Sequence, residues 1–183
     1  MPAVDVALDV RGEVQGVNVV MGRSIASKIF ADANIRLNWR EAPVRGVSVT
    51  RLTVVIVSGM RDRGDLFGKD RVLGRVGQPG VRAYVAYDRV LRFAHKHPGD
   101  TARILGAVIA HELGHLLLGE GHWATGLMAA SVDARPGADL RFTTAQALTL
   151  RAVLLPDDGG HTPGEVQLAA HDSDAQLEPV VLK

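Results

Sequence analysis

The first half of the chain alternates between two hydrophobic periods. Apolar residues occupy every second position across residues 4–10 and again across residues 35–40, which predicts two half-buried strands. Between them, residues 18–33 carry apolar side chains at helical spacing, which predicts an amphipathic helix with Asn18 as its N-cap. A strand, a helix and a strand in this order are typical of the opening of an α/β layer.

Two more strands are predicted in the middle of the chain, separated by a glycine-rich segment. Residues 51–58 read RLTVVIVS and are apolar on both faces of the pleat, which predicts a central strand covered on both sides. Residues 81–87 alternate again. Residues 59–80 are rich in glycine and charge, so we predict a long surface loop, which either roofs a substrate cleft or simply connects the strands.

Three helices are predicted in the second half. A short one covers residues 88–95, and a second begins at a cap near residue 100 and ends at Gly119. Because its apolar residues surround most of its circumference, this second helix should be buried. A capping box of the form Thr-x-x-Gln at residues 143–146 begins the last helix, which a proline ends.

The order of these elements predicts an α+β fold with an α/β-like N-terminal part. Residues 1–156 should form a single domain, and the sheet should have about four strands. Residues 157–183 are rich in Asp, Gly, His and Pro and show little periodicity, so we predict a mobile C-terminal tail.

Composition excludes several classes of function. Lys plus Arg number 21 and Asp plus Glu number 20, so the net charge of +1 gives no reason to expect a nucleic-acid partner. The absence of cysteine excludes disulfides, thiolate ligands and a cysteine nucleophile, and leaves His, Asp and Glu as metal ligands.

The sequence pattern also gives expectations about membrane insertion, oligomeric state and cellular compartment. No stretch of about 18 apolar residues is evident, so we expect a soluble protein without membrane insertion, most simply a monomer. The first residues lack the pattern of a signal peptide. The protein should be secreted if the chain is a mature fragment, and cytoplasmic if Met1 is its native start.

The candidate chemistry lies on the buried helix, in the segment His111-Glu112-Leu113-Gly114-His115. Histidines four residues apart lie on one face of a helix, so both imidazoles can reach one zinc ion. Glu112 lies beside this pair, where a carboxylate can act as general base on a metal-bound water. Ordinary hydrogen bonds are the alternative for three such residues, because buried polar groups need partners and the motif is short.

After the second histidine come Gly119, His122 and Met128. Together with the His-Glu-x-x-His segment, this order resembles the zinc-dependent metalloproteases called metzincins. The segments HELGHLLLGEGHWATGLM, VAYDRV and FTTAQALTLRA are also similar to small, largely uncharacterised bacterial proteins with predicted protease activity.

The metzincin resemblance implies a fold, a metal and a reaction. The fold would be a mixed twisted sheet with an antiparallel edge strand, a zinc-binding helix, a turn carrying Met128 beneath the ligands, and a last helix. Zn²⁺ would be held by His111, His115 and His122, and Glu112 would be the catalytic base. The reaction would be hydrolysis of peptide bonds in a peptide or protein substrate.

The sequence departs from the metzincin pattern in one spacing. The third ligand of the family follows the second histidine by six residues, whereas His122 follows His115 by seven, and Gly121 takes the usual position. A glycine-rich segment can let His122 swing back to the metal, which is the interpretation we favour. Glu120 and Asp133 are the other candidates for the third ligand.

A second departure concerns the transition state. Some metzincins have a supporting tyrosine two residues after the turn methionine, and here Ala130 follows Met128 at that distance. Zinc, a backbone N–H of the edge strand, or the hydroxyl of Tyr84 or Tyr87 would then stabilise the oxyanion. Trp123 either lines the substrate pocket or packs the turn.

Three functional hypotheses follow from these observations. The first is a zinc endopeptidase whose strand at residues 81–87 pairs with an extended substrate. The second is a regulatory or interaction module that zinc only stabilises, through a site closed by four protein ligands. The third is a cytosolic peptidase of the same motif that cleaves one regulatory protein.

Overall fold

The computed structural model describes most of the chain as one set of packed helices and strands. The described residues are 1–41, 52–59, 73–77, 81–96, 101–119, 121–133, 137–155 and 181–182. In chain order the elements are β1 (Ala3–Arg11), α1 (Gly16–Asp32), β2 (Arg36–Glu41), β3 (Leu52–Val57), β4 (Gly74–Gly77), β5 (Arg82–Ala86), α2 (Tyr87–Lys96), α3 (Thr101–Leu118), β6 (Ser131–Val132), α4 (Thr144–Leu154) and β7 (Val181–Leu182).

The main sheet is mixed and has β3 at its centre. The strand order is β2-β1-β3-β5-β4, with β1, β2, β3 and β5 parallel and β4 antiparallel to β5. Val54 and Val55 point to opposite faces of β3 and are both buried, at 0% and 1% exposure. The predicted α+β fold, the antiparallel edge strand and the central position of this strand are confirmed.

The glycine-rich segment predicted as a loop contains the edge strand. Gly74 pairs with Val85 and Gly77 with Arg82 in the antiparallel register of β4 and β5. The loop prediction is therefore wrong for residues 74–77, and the sheet has five strands rather than about four. Residues 60–72 and 78–80 of the predicted loop lie outside the described residues.

The position of β5 corrects the expected site of substrate pairing. This strand has β3 on one side and β4 on the other, so both of its hydrogen-bonding edges are occupied. A peptide therefore cannot add to residues 82–86. Strand β4 lies next to β5 at the edge of the sheet, and no other described strand pairs with its outer edge.

Helices α1 and α3 pack closely against each other beside the sheet. A Cβ atom built on Gly106 of α3 would lie 2.7 Å from the Ile25 Cβ and 2.8 Å from the Gly22 carbonyl oxygen of α1. The missing side chain therefore allows the two backbones to approach. By length and a mean hydropathy of 1.2, α3 would suffice to cross a membrane, but 67% of that stretch is buried, as in the core helix of a globular domain.

The start of α1 differs from the predicted cap. The helix begins at Gly16, the cap position is held by Gln15, and no side-chain hydrogen bond is made there. Asn18 therefore lies inside the first turn, and the capping prediction is wrong. Its amide nitrogen donates instead to the Gln15 side-chain oxygen at 2.9 Å and to the Tyr87 hydroxyl at 2.8 Å.

The predicted capping box at the start of α4 is confirmed. The Thr143 hydroxyl accepts from the Gln146 N–H at 3.2 Å, and the Gln146 side-chain oxygen accepts from the Thr143 N–H at 3.0 Å. The Gln146 amide also donates to the Thr125 carbonyl oxygen at 2.7 Å. This box therefore fixes both the helix and a segment that lies before Met128 in the sequence.

We expect Thr143→Ala to lower the free energy of unfolding by about 1 kcal/mol, because it leaves the Gln146 N–H at the helix start without its acceptor. The matching fall in Tm is about 2–4 °C. Thr144→Ala is the control, since this neighbouring threonine is exposed and lies outside the box. Thermal unfolding of both variants, followed by circular dichroism, checks the prediction, and equal losses would contradict it.

The last described residues pair with the segment that follows Met128. Strand β7 runs parallel to β6, with Ser131 opposite Val181 and Val132 opposite Leu182. Most of the predicted tail, up to residue 180, lies outside the described residues. The domain boundary at residue 156 therefore stays a prediction.

Candidate metal centre

The end of α3 explains how the longer spacing is accommodated. The helix ends at Leu118, and the Gly119 N–H still donates to the His115 carbonyl oxygen at 2.9 Å. Gly119 and Gly121 have φ angles of +85° and +106°, which side-chain-bearing residues rarely adopt. This backbone reversal returns His122 to the face of the helix that carries the first two histidines.

The three histidines form one compact cluster. Their ligand atoms all lie within 4.8 Å of one another, and the Nε2 atoms of His111 and His115 are 2.8 Å apart. The His122 ring centroid is 5.5 Å from that of His111 and 4.9 Å from that of His115. His111 is fully buried and the other two are half-buried.

The hydrogen bonds of His111 and His115 indicate which ring nitrogens carry protons. The Nδ1 atom of His111 is 2.6 Å from the Leu127 carbonyl oxygen, and that of His115 is 3.2 Å from the Gly119 carbonyl oxygen. A carbonyl only accepts, so the tautomer that satisfies both contacts has its proton on Nδ1 in each ring. In that tautomer the two Nε2 atoms both present lone pairs, and a third proton or a cation would bridge them.

Burial argues against the extra proton. Burial lowers the pKa of His111 to about 3, helped by the charge of His115 and opposed by the bond to Leu127. Burial likewise lowers the pKa of His115 to about 4, opposed by the bond to the Gly119 carbonyl. Both rings are therefore neutral near pH 7, which is the form of imidazole that binds a metal.

The cluster fits a zinc ion. Zinc binds imidazole nitrogen at about 2.0–2.1 Å, so two such ligands in tetrahedral geometry are about 3.3 Å apart. The separations here are within about 1.5 Å of that value. An all-nitrogen donor set favours zinc or another transition metal over calcium or magnesium. The two Nδ1 contacts are the backbone bonds that usually orient metal-binding histidines.

Glu112 follows His111 on α3 and is buried. Its side chain is 1% exposed, and its Oε1 atom has no hydrogen-bond partner among the described residues. Burial raises the pKa of Glu112 to about 8, and the charge of Arg75 works in the opposite direction. A cation held by the neighbouring histidines would favour the carboxylate form.

The segment around Met128 packs against α3. Met128 is fully buried, and its sulfur lies where a side chain on Gly114 of α3 would be. Leu127 bonds His111 through its carbonyl, and its N–H donates to the Arg141 carbonyl oxygen at 3.0 Å. The Leu127 carbonyl therefore orients the ring of His111, and the Met128 side chain packs against α3 at Gly114.

The two predicted tyrosine contacts are placed differently from the histidines. Gly74 faces Glu112, and its cross-strand partner Val85 lies on the same face of the sheet, so the pleat directs Tyr84 to the other face. The sheet therefore lies between Tyr84 and Glu112. Tyr87 is 1% exposed, and its hydroxyl accepts the hydrogen bond from Asn18.

The remaining candidates flank the cluster in sequence. Trp123 follows His122 directly and is 38% exposed, and its backbone N–H donates to the Met128 carbonyl oxygen at 2.9 Å. Asp133 is not part of the group of ligand atoms that the described residues bring together. Glu120 lies outside the described residues.

Three contributors to this site carry no chemical signal in the sequence. The carbonyl groups of Leu127 and Gly119 act through the backbone, which any residue would supply. The third is Gly74, whose missing side chain leaves room for Glu112. Gly74 was not identified from the sequence, because it lies in a glycine-rich segment and such a composition is typical of a loop.

Comparison with known proteins gives a structural likeness only. No protein-family model matches the sequence, and no curated protein matches it. The fold is similar to the crystal structure of archaemetzincin from Methanopyrus kandleri, with a TM-score of 0.52 and 16% sequence identity over 82% of this chain and 94% of that one. At this identity the likeness shows the fold alone.

Proposed function

We propose that this protein is a zinc-dependent endopeptidase in which His111, His115 and His122 hold the metal. The observation that carries the proposal is the pair of Nε2 atoms facing each other at 2.8 Å while both Nδ1 atoms are bonded to carbonyls. In the tautomer that satisfies both carbonyls, the two Nε2 atoms offer lone pairs to one point, which is how neutral histidines bind a divalent cation.

The number of ligands favours catalysis over a structural role. Structural zinc sites are closed by four protein ligands, whereas catalytic sites use three and leave one position open. Among the described residues the cluster has three histidines, with the buried carboxylate of Glu112 next to them. The fold is similar to that of archaemetzincin, and the sequence motif resembles the metzincins, the class that this name contains. Both likenesses are consistent with the assignment.

Glu112 is the group that moves protons in this proposal. When bound, zinc acidifies a water molecule and polarises a peptide carbonyl. The Glu112 carboxylate accepts a proton as the water oxygen bonds to the carbonyl carbon, and it gives that proton to the nitrogen as the C–N bond breaks. A side chain that is 1% exposed exchanges this proton with the substrate rather than with bulk solvent.

The substrate would lie along β4. Because no other described strand pairs with the outer edge of β4, an extended peptide can add to it through backbone hydrogen bonds. Gly74 of this strand touches Glu112, so such a peptide would pass beside the catalytic carboxylate. The exposed ring of Trp123, next to His122, offers an apolar surface to a substrate side chain.

Metal analysis combined with a peptide-library digest tests the proposal. We expect one zinc ion per chain, cleavage of extended peptides, loss of cleavage after chelation, and recovery when zinc is restored. Full cleavage by the metal-free protein would overturn the assignment. Tightly held zinc without cleavage of any peptide would favour the zinc-stabilised module instead.

A further inference from the structure

Glu112 fills the space that a side chain on Gly74 would take. A Cβ atom built on Gly74 would lie 2.5 Å from the Glu112 Oε1, 2.7 Å from its Cγ and 2.8 Å from its Cδ. These three nearest atoms all belong to Glu112. The carboxylate therefore rests directly against the backbone of the edge strand.

The backbone of Gly74 gives no other reason for a glycine. Its φ angle is not among the positive values found at other glycines of the described chain, so any residue could adopt this conformation. The strand is also held in place, because Gly74 pairs with Val85 and the Leu73 carbonyl accepts from the Ala86 N–H at 2.8 Å. Gly74 therefore contributes a fixed stretch of backbone without a side chain.

The backbone at Gly74 matters for the position of Glu112, because no hydrogen bond among the described residues holds the Oε1 atom of the carboxylate. That atom is buried and has no hydrogen-bond partner among the described residues. The position of Glu112 then depends on packing against its neighbours, and the backbone at Gly74 is one of them.

We propose that Gly74 is a positioning residue, which sets where the carboxylate of Glu112 lies relative to the histidine cluster. The role in catalysis rests on the proposed function, whereas the packing relation does not. A methyl group needs about 3.4 Å from a neighbouring oxygen, so Gly74→Ala would displace the carboxylate by roughly 0.9 Å. A misplacement of about 1 Å can cost about 100-fold in rate.

Kinetics of Gly74→Ala give the first test. We expect kcat to fall by about 10-fold to 100-fold with zinc retained, because the histidines are not touched. Gly22→Ala is the control: its new Cβ meets the Leu105 side chain at 3.1 Å, in the contact between α1 and α3. That variant should keep kcat within about twofold.

A shortened base tests whether the loss acts through Glu112. In Gly74→Ala, a further Glu112→Asp change removes one methylene and makes room for the new methyl group. The kcat of the double variant should be higher, by about tenfold or more, than the value expected if the two single losses simply multiplied. Losses that simply multiply would overturn the positioning role.

Thermal unfolding tests the packing without any peptidase activity. Gly74→Ala should lower Tm by about 3–10 °C through overpacking. In a Glu112→Ala background, where the clashing side chain is gone, it should have little effect. Gly22→Ala should change Tm equally in both backgrounds. If Gly74→Ala costs the same in both, the inference fails; if the coupling is present but no variant cleaves peptide, the proposed function fails instead.

Discussion

Replacing Glu112 with glutamine is expected to leave zinc in place and to lower kcat by about 100-fold to 10,000-fold. Glutamine has nearly the same shape, so it should fit the buried position without disturbing the three histidines. It cannot accept a proton at the pH of the reaction, and general acid–base catalysis contributes about that factor. Zinc content by mass spectrometry and kcat on the best peptide from a library digest are the two measurements.

The control for this change is Glu13→Gln, which makes the same chemical substitution at an exposed position. It should leave both zinc content and kcat as they are. A Glu112→Gln protein that cleaves as fast as the parent would show that this carboxylate is not the base. Loss of zinc from this variant would instead make Glu112 part of the metal site.

Periodicity in the sequence predicted those strands that have a run of apolar side chains. β3 is buried on both faces, and its continuous apolar sequence indicated this. β4 could not be found in the same way, because its four residues are Gly-Arg-Val-Gly and carry a single apolar side chain. Its strand geometry comes from pairing with β5, which is a long-range contact that local sequence does not encode.

The helix starts show the same difference between local and distant causes. The capping box at Thr143 involves groups three residues apart, so the sequence was sufficient. Asn18 has a side chain suited to capping, but Tyr87 is distant in the sequence and accepts its hydrogen bond in the fold. The helix begins before Asn18, with Gln15 at the cap position.

The candidate site was predictable where its chemistry lies in side chains at helical spacing. His111, Glu112 and His115 needed only the period of a helix. The return of His122 depended on two glycines with positive φ, which composition allowed but did not require. The position of Glu112 against Gly74 depends on how α3 crosses the sheet, and no local pattern reports that crossing.

His122→Ala is expected to weaken zinc binding by more than about 100-fold and to abolish cleavage. Losing a partner of a ligand typically costs about 10-fold to 100-fold in metal affinity, and losing a ligand itself should cost more. The ring of His122 packs within 5.5 Å of both other rings, so its removal takes away the third nitrogen donor. Competition with a chromogenic chelator measures the affinity.

Three further variants decide between the possible third ligands. His95→Ala removes an exposed histidine on α2 and should leave zinc affinity unchanged. Glu120→Ala and Asp133→Ala should also keep zinc, because the ligand atoms brought together among the described residues are those of His111, His115 and His122. If His122→Ala keeps its zinc while either acidic variant loses it, the longer segment after His115 delivers a carboxylate to the metal. Zinc would then have two imidazoles and a carboxylate, a set that other zinc peptidases use, and only the third ligand of the proposal would change.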